Sequence, residues 1–516
     1  MPFSPQQQTV IDWVPDGTGS AFVEAVAGSG KTTTLIGALP DMQGSVAFAA
    51  YNTKIVKEIK QKLINKADRE HEAFDPAYIG INNRVNVKTF HGFGFGAWKS
   101  VYPGVELDDL KKERTTVAEL GIPKMLQGLV FKLVGLAKQS MGGLAWQVDD
   151  HSNWYKIVDH FDLAYEIEDE KLIEQAIGFA VRALRLHYKM GRNIMSFDDM
   201  IWLPVISGCK VWQNDWVIVD EAQDTNPARR ALARKMLKAG GRSLWVGDRH
   251  QAIYGFTGAD ADSVDQIIRD FNCRELPLTV TFRCPKAVVE KAQEVVSHIQ
   301  AHESAPEGEV REMNAETFGK MGLISDKTLD NFHPTLDAIL CRNTKPLVKM
   351  AYQLIKKGIA CHVEGRDIGL GMVKLVNRFD TNSLNELEDR LIAYREKEVE
   401  KLIAKGKETA AEALSDRVDT VLVMMEDKTL KTVIDLQDRI YGLFLDGDKE
   451  AKPTLTLCTV HRSKGREWKR VFLYGKDAYM PSKFARQAWQ LQQEANLVYV
   501  SYTRAMSELV LVQASE

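Results

Sequence analysis

Gly28, Ser29, Gly30, Lys31 and Thr32, inside "FVEAVAGSGKTTTLIGAL", bring two glycines, an ammonium and a hydroxyl into one short turn. The glycines let the backbone approach an anion, so that amides and a following helix N-terminus can surround phosphate oxygens. Lys31 is spaced to reach β and γ oxygens, and the Thr32 hydroxyl to ligate magnesium. Far downstream, "WVIVDEAQDTNP" sets Asp220, Glu221 and Asp224 directly behind four apolar residues. Such carboxylates complete a hydrolytic site when Asp220 holds the metal's shell and Glu221 polarises the attacking water. Taken alone, "DEAQD" reads equally as a solvated loop or helix start, where acids suit the dipole. Together the two segments supply complementary halves of one site.

Those side chains need elements to hold them. The first segment runs from an apolar strand through a tight turn into a helical pattern, the context a phosphate loop requires. "WVIV" suits a central strand of a parallel sheet covered on both faces, and such sheets place chemistry at the carboxyl ends of their strands. At 516 residues, with 45% hydrophobic and 27% charged, the chain is globular and too long for one core. A net charge of -3 gives no global basic signature, so a polyanion must be held by a local groove. Cys209, Cys273, Cys284, Cys341, Cys361 and Cys458 are scattered without a CxxC pair, which favours reduced structural thiols. "MPFSPQQQTVIDW" lacks the plan of a signal peptide, and no run is apolar enough to span a bilayer. No membrane role is expected; the cytoplasm or nucleoid is, or the nucleus in a eukaryote.

The sequence resembles the superfamily 1 DNA helicases of the UvrD/Rep/PcrA type. "AVAGSGKT" looks like their Walker A, with Ala25 at its first position, and "DEAQD" like their Walker B. "FSPQQQTVI" is similar to the adenine-recognising Q motif, and "AAYNTKIVKEI" and "VKTFHGF" to motifs that touch single-stranded DNA. "LWVGDRHQAIYGFTGAD", "LTVTFRCP", "TLCTVHRSKGREW" and "LVYVSYTRA" resemble motifs III to VI in order. The resemblance implies an α/β fold with two RecA-like parallel-sheet motor domains of the P-loop NTPase kind, each carrying a mainly helical insertion. It implies ATP and Mg2+ as cofactors, and single-stranded DNA and single-strand/duplex junctions as partners.

Residue by residue, the resemblance puts Gln7, Ala27, Gly28, Ser29, Gly30, Lys31, Thr32 and Thr33 around the nucleotide, with Thr32 and Asp220 on the metal. Phe282 would stack on adenine and Glu467 would contact the ribose. Gln251 would sense the γ-phosphate, and Arg283 and Arg504 would act as arginine fingers at the cleft between the two motor domains. A lone arginine is otherwise a surface ion pair. Tyr51, Asn52, Thr89, Phe90, His91, Tyr254, Phe256 and His461 would line the DNA track, where flat side chains stack on any base without reading it. Phe90 has ordinary core packing as its other reading, and the two histidines a structural role. Thr33 and Thr257 depart from the arginines that many relatives carry there.

Gaps between motifs give the organisation: a first RecA-like domain over 1–92 and 191–283 with a helical insertion over 93–190, and a second over 284–365 and 452–516 with a short insertion over 366–451. The charged stretch "NELEDRLIAYREKEVEKLIAKGKETAAEAL" reads as a solvated face or hairpin. These readings lead to an ATP-dependent DNA helicase moving 3′→5′ along single strands as a monomer, in replication, repair or recombination. A translocase that strips proteins with poor unwinding, and a DNA-stimulated ATPase switch within a larger complex, are the alternatives. RNA stays open as a track, since stacking pockets read any base.

Overall fold

The computed structural model describes residues 3–161, 163, 169–253, 262–322, 331–404, 408–445, 454–485 and 488–514. Tyr254, Phe256 and Thr257 lie outside the described residues. Two compact units divide the chain, Met1–Thr279 and Val280–Glu516.

In the N-terminal unit a six-stranded sheet runs in the order Val85–Thr89, Val46–Ala50, Asn214–Val219, Leu237–Gly247, Ser20–Ala25, Cys273–Leu278. Every pairing in it is parallel. The strand of "WVIV" is indeed central: Val217, Ile218 and Val219 are completely buried. Each such side chain contributes about 1.5–3 kcal/mol by leaving water, which fixes the register that delivers Asp220 and Glu221 at the strand's carboxyl end. The phosphate-loop strand Ser20–Ala25 lies two positions away, with Leu237–Gly247 between them. One apolar cluster on Val10, Leu35, Phe48 and Ile218 and another on Phe22, Val217, Leu232 and Trp245 cover the sheet's two faces. Helices Asp109–Leu120, Lys124–Gln139, His151–His160 and Glu170–Met190 build a third cluster around Leu133, Trp154, Ala180 and Leu184.

The C-terminal unit repeats the plan with a second six-stranded parallel sheet, ordered Glu309–Met313, Ala505–Val512, Trp468–Tyr474, Asp337–Cys341, Leu455–Thr459, Cys361–Val363. Val280 and Thr281 pair with Gln300 and Ala301, so Phe282 and Arg283, expected at the end of the first domain, belong to this second unit. Helices Arg366–Asn377, Leu384–Ala404, Glu408–Met425 and Val433–Leu445 follow Cys361–Val363. The charge-rich stretch, expected to be a solvated face or hairpin, spans helix Leu384–Ala404 and the start of Glu408–Met425 and is more than a solvated face: Leu387 and Leu391 within it, like Val418 and Val421 just beyond it, are fully buried in the same cluster as Ile339, Leu457 and Val510 of the sheet. No helix among the described residues is long and apolar enough to cross a membrane.

Candidate active site and nucleic-acid face

The phosphate loop leaves the buried strand Ser20–Ala25 and turns through two left-handed glycines, Gly28 at φ 72° and Gly30 at φ 80°, conformations that a side chain would strain. Gly30 caps helix Lys31–Ala38 and offers no side-chain acceptor to its first turn. First-turn amides have no partner within a helix, so Lys31, Thr32 and exposed Thr33 present donors where an anion would lie. Ser29 is buried and its hydroxyl has no hydrogen-bond partner. Ala27 is buried in the floor of the loop. Gln7 holds the loop from behind: its Nε2 donates to the Ser29 carbonyl at 3.3 Å, while its Oε1 accepts from the Ser4 amide at 3.0 Å. Gln6, which the motif reading passed over, clamps Thr279 through Nε2 to Oγ1 and through its Oε1 to the Thr279 amide, both at 2.8 Å.

Across from the loop, Thr32 Oγ1 donates to Asp220 Oδ2 at 3.2 Å, and Lys31 Nζ lies 3.3 Å from Glu221 Oε1. The expected halves therefore meet. Glu221 sits at φ 52°, ψ 46°, in the left-handed region without being glycine. Gln223 Nε2 donates to Glu221 Oε2 at 2.6 Å, and Gln223 Oε1 accepts the Asp248 amide at 3.1 Å. Gln251 Nε2 in turn donates to Asp248 Oδ2 at 2.7 Å. Gln223 and Asp248 thus join the two strand ends; both stand inside quoted motifs, but nothing in spacing alone reveals the link. Burial, then Glu221, pushes the Asp220 carboxyl up to about 6. Burial alone would lower Lys31, yet Glu221, Asp248 and Asp220 outweigh it and raise the ammonium. Three carboxylates against one ammonium in a buried corner leave an excess of negative charge that a divalent cation would offset. Among the described residues no group of three or more His, Cys, Asp or Glu could hold a metal by itself. A cation held by Thr32 and Asp220 would draw its other oxygens from phosphate and water, as magnesium does.

Four expected nucleotide contacts, Phe282, Arg283, Glu467 and Arg504, lie in the C-terminal unit. Phe282 is 43% exposed, its ring 4.8 Å from that of His302, so one face is open for stacking. Arg283 Nε pairs with Glu467 Oε2 at 2.5 Å. Arg504 departs from expectation. It is 1% exposed, its Nε and Nη1 donate to the carbonyls of Val500 and Arg466 at 3.0 and 3.1 Å, and its Nη2 donates to Thr503 Oγ1 at 3.3 Å. The end of helix Ala488–Tyr502 leaves carbonyls unsatisfied, and the guanidinium is drawn inward to meet one of them. In this conformation Arg504 is a brace and presents no face to a phosphate.

Of the residues expected to touch nucleic acid, Asn52 and Thr89 cap helices Thr53–Ala67 and Phe90–Val101, accepting the amides of Ile55 at 2.9 Å and Gly92 at 3.1 Å. Phe90 is 5% exposed and packs with Ala47, Val219 and Leu232, so a base cannot reach it; the expectation of a DNA contact is corrected to core packing. His91 stacks on Phe197 with ring centroids 3.8 Å apart, and the Arg229 guanidinium lies 5.6 Å from the Tyr51 ring. These four residues, with Lys138 and Asn226, line a cavity of about 220 Å³. Burial and Arg229 lower His91 to about 3, so it works as a neutral ring. Phe197, 52% exposed, shares this cavity and was not singled out in the sequence, because "SFDDM" carries no motif spacing of its own. In the C-terminal unit His461 lines a cavity of about 270 Å³ with Arg342, Asn343 and Thr344, at the start of helix Thr344–Lys356. Burial, Arg342 and Arg462 lower His461 to about 3 as well.

Two family models match this chain: the UvrD/REP helicase N-terminal domain over residues 4–272 and the UvrD-like helicase C-terminal domain over 372–516. The chain is similar to an ATP-dependent DNA helicase Rep of Buchnera aphidicola subsp. Baizongia pistaciae, 25% identical over 321 residues that cover 58% of this chain and 43% of the relative. It is 25% identical to the Escherichia coli protein of the same name over 281 residues, 52% of this chain and 39% of that one. F-box DNA helicase protein 1 of Schizosaccharomyces pombe is 27% identical over 320 residues, 58% of this chain and 34% of the relative. The matches therefore span well under half the length of these curated relatives.

Proposed function

The chain belongs to the UvrD/Rep helicase family, and from that premise we propose that it is an ATP-dependent DNA helicase that moves 3′→5′ on single-stranded DNA and opens duplex ahead of it. The observation that carries this reading is the meeting of Lys31 with Glu221 and of Thr32 with Asp220, since hydrolysis needs both halves in reach of one phosphate. Bound ATP with Mg2+ would supply the transferable phosphoryl group and the charge that compensates it. Thr32 and Asp220 would hold the metal, and the ammonium of Lys31 would turn from Glu221 to phosphate oxygens. Glu221, released, would orient and deprotonate the attacking water, and the Gln223–Asp248–Gln251 chain would report the change to the neighbouring strand end. Arg283 would stabilise developing charge from the second motor unit, with Phe282 stacking on the base. Arg504 would join it only after leaving its carbonyl partners.

Tyr51, His91 and Phe197 in the N-terminal unit, and His461 in the C-terminal unit, would grip the strand by stacking and neutral hydrogen bonding, so that cycles of ATP binding and hydrolysis advance it. The capped starts of helices Thr53–Ala67 and Phe90–Val101 would offer amides to DNA phosphates. The direction of movement rests on the family resemblance. Unwinding of duplexes with a 3′ or a 5′ single-stranded tail, alongside DNA-stimulated ATPase, tests the proposal. Strand separation from the 3′ tail alone supports it. ATPase without separation from either tail favours the protein-stripping translocase, and ATPase without movement the switch.

A further inference from the structure

Four helices of the N-terminal unit, the fourth being Asp199–Ile206, meet at an ionic cluster: Lys112, Lys138, His187 and Asp199 are all buried. Lys112 Nζ donates to Asp199 Oδ2 at 2.6 Å and to the carbonyls of His187 and Ile194 at 3.0 and 3.1 Å. Lys138 Nζ lies 2.8 Å from Asp199 Oδ1 and 2.9 Å from both His187 Nδ1 and Ser196 Oγ. His187 therefore accepts at Nδ1 and donates from Nε2 to Thr116 Oγ1 at 3.0 Å. Burial pulls Lys112 down to about 8 against the attraction of Asp199, so it stays charged at neutral pH.

Holding helices together does not require such a cluster, because apolar side chains of like volume often do so at no loss. What apolar groups cannot do is fix a polar backbone. Asp199 Oδ2 accepts both the amide and the hydroxyl of Ser196 at 2.8 Å, and Asp109 Oδ1, on the same helix as Lys112, accepts the Phe197 amide at 3.0 Å. The turn that carries Phe197 is thus pinned on both sides, and its ring lies against His91 in the cavity that Lys138 also lines.

We propose that Asp109, Lys112, Lys138 and Asp199 are positioning residues of the nucleic-acid face, holding the turn at residues 196–198 so that Phe197 presents its ring beside His91 to an incoming base. The inference rests on the nucleic-acid reading of that cavity.

A double-mutant cycle tests it, with affinity for a fluorescein-labelled oligo(dT) read by anisotropy on the full chain. Phe197→Ala should weaken binding by about tenfold, the order of one lost stacking contact. Asp109→Ala, an exposed position whose loss leaves the buried cluster intact, should weaken it several-fold. The double variant should bind no more weakly than Phe197→Ala alone, because residues acting through one another are not additive. Asp199→Asn, provided that it folds, should behave like Asp109→Ala. Unchanged affinity in Phe197→Ala would overturn the reading of the cavity itself. A normal Phe197→Ala effect with Asp109→Ala silent, or with the two effects fully additive, would overturn the positioning role alone.

Discussion

Glu221 is held in a left-handed backbone that costs a non-glycine residue on the order of 1–3 kcal/mol. A surface loop would relax it; here Gln223 and Lys31 grip the side chain and keep the strain in place. Glu221→Gln preserves the acceptor for Gln223 and removes the base, so nucleotide and DNA binding should survive while steady-state turnover falls by about 10²-fold or more; near-normal hydrolysis would remove Glu221 from the mechanism. His91 gives a second residue-level prediction. Burial and Arg229 hold it near 3 in the folded chain against 6.5 for an ordinary histidine. The folded state therefore binds fewer protons than the unfolded one, and the stability gained by burying the neutral ring is complete above 6.5 and lost as pH falls toward 3. Thermal midpoints measured between pH 7 and 4 should drop less steeply in His91→Asn than in the parent; parallel curves would mean that His91 is solvated.

At the scale of elements, the helix Pro5–Asp16 works as a strap. Ser4 and Gln7 form a capping box at its start, Gln7 touches the phosphate loop, and Gln6 reaches the end of strand Cys273–Leu278 at Thr279. Ser4→Ala should cost about 1 kcal/mol of stability and, by freeing Gln7, raise the KM for ATP more than it lowers kcat, which steady-state ATPase assays can separate. Part of this layer was legible in the sequence: the apolar runs before GSGKT and DEAQD announce the two strands, whereas "FSPQQQTVI" was read as a motif and not as a capped helix start. The choice between DNA track and core for Phe90 was not resolvable there, because an aromatic just after a strand end has the same local spacing whether it turns inward or outward. Arg504 misled for a related reason. Its burial depends on which carbonyls the end of helix Ala488–Tyr502 leaves unsatisfied, a fact of three dimensions. Phe197 escaped notice because what singles it out, the contact with His91, joins residues far apart in the chain.

Taken whole, the molecule treats its two sets of inserted helices differently. In the N-terminal unit the helices between residues 109 and 190 gather around a cluster of their own, separate from those on the sheet's faces. In the C-terminal unit the helices after residue 366 have no separate cluster among the described residues: Val418, Val421, Leu436 and Ile440 share one core with Ile339, Leu457 and Val510 of the sheet. A polar seam reinforces that union. Arg342, just past strand Asp337–Cys341, pairs with Glu494 at 2.8 Å and with Glu412 of helix Glu408–Met425 at 3.3 Å, and Ser482 donates to the same Glu412 at 2.6 Å. Elements that share a core open together, whereas elements with their own core can open first. Native-state hydrogen exchange should therefore give the amides of helix Glu408–Met425 the same opening free energy as those of strand Asp337–Cys341. Helix Glu170–Met190 should exchange at a lower free energy than strand Asn214–Val219. Arg342→Met, which leaves Glu412 and Glu494 buried without their cation, should lower the first pair together by about 3–5 kcal/mol and leave the second pair unchanged. If Arg342→Met loosened the helix and spared the strand, the inserted helices would be a separate body with freedom to move on the sheet, and the C-terminal unit would not act as one piece.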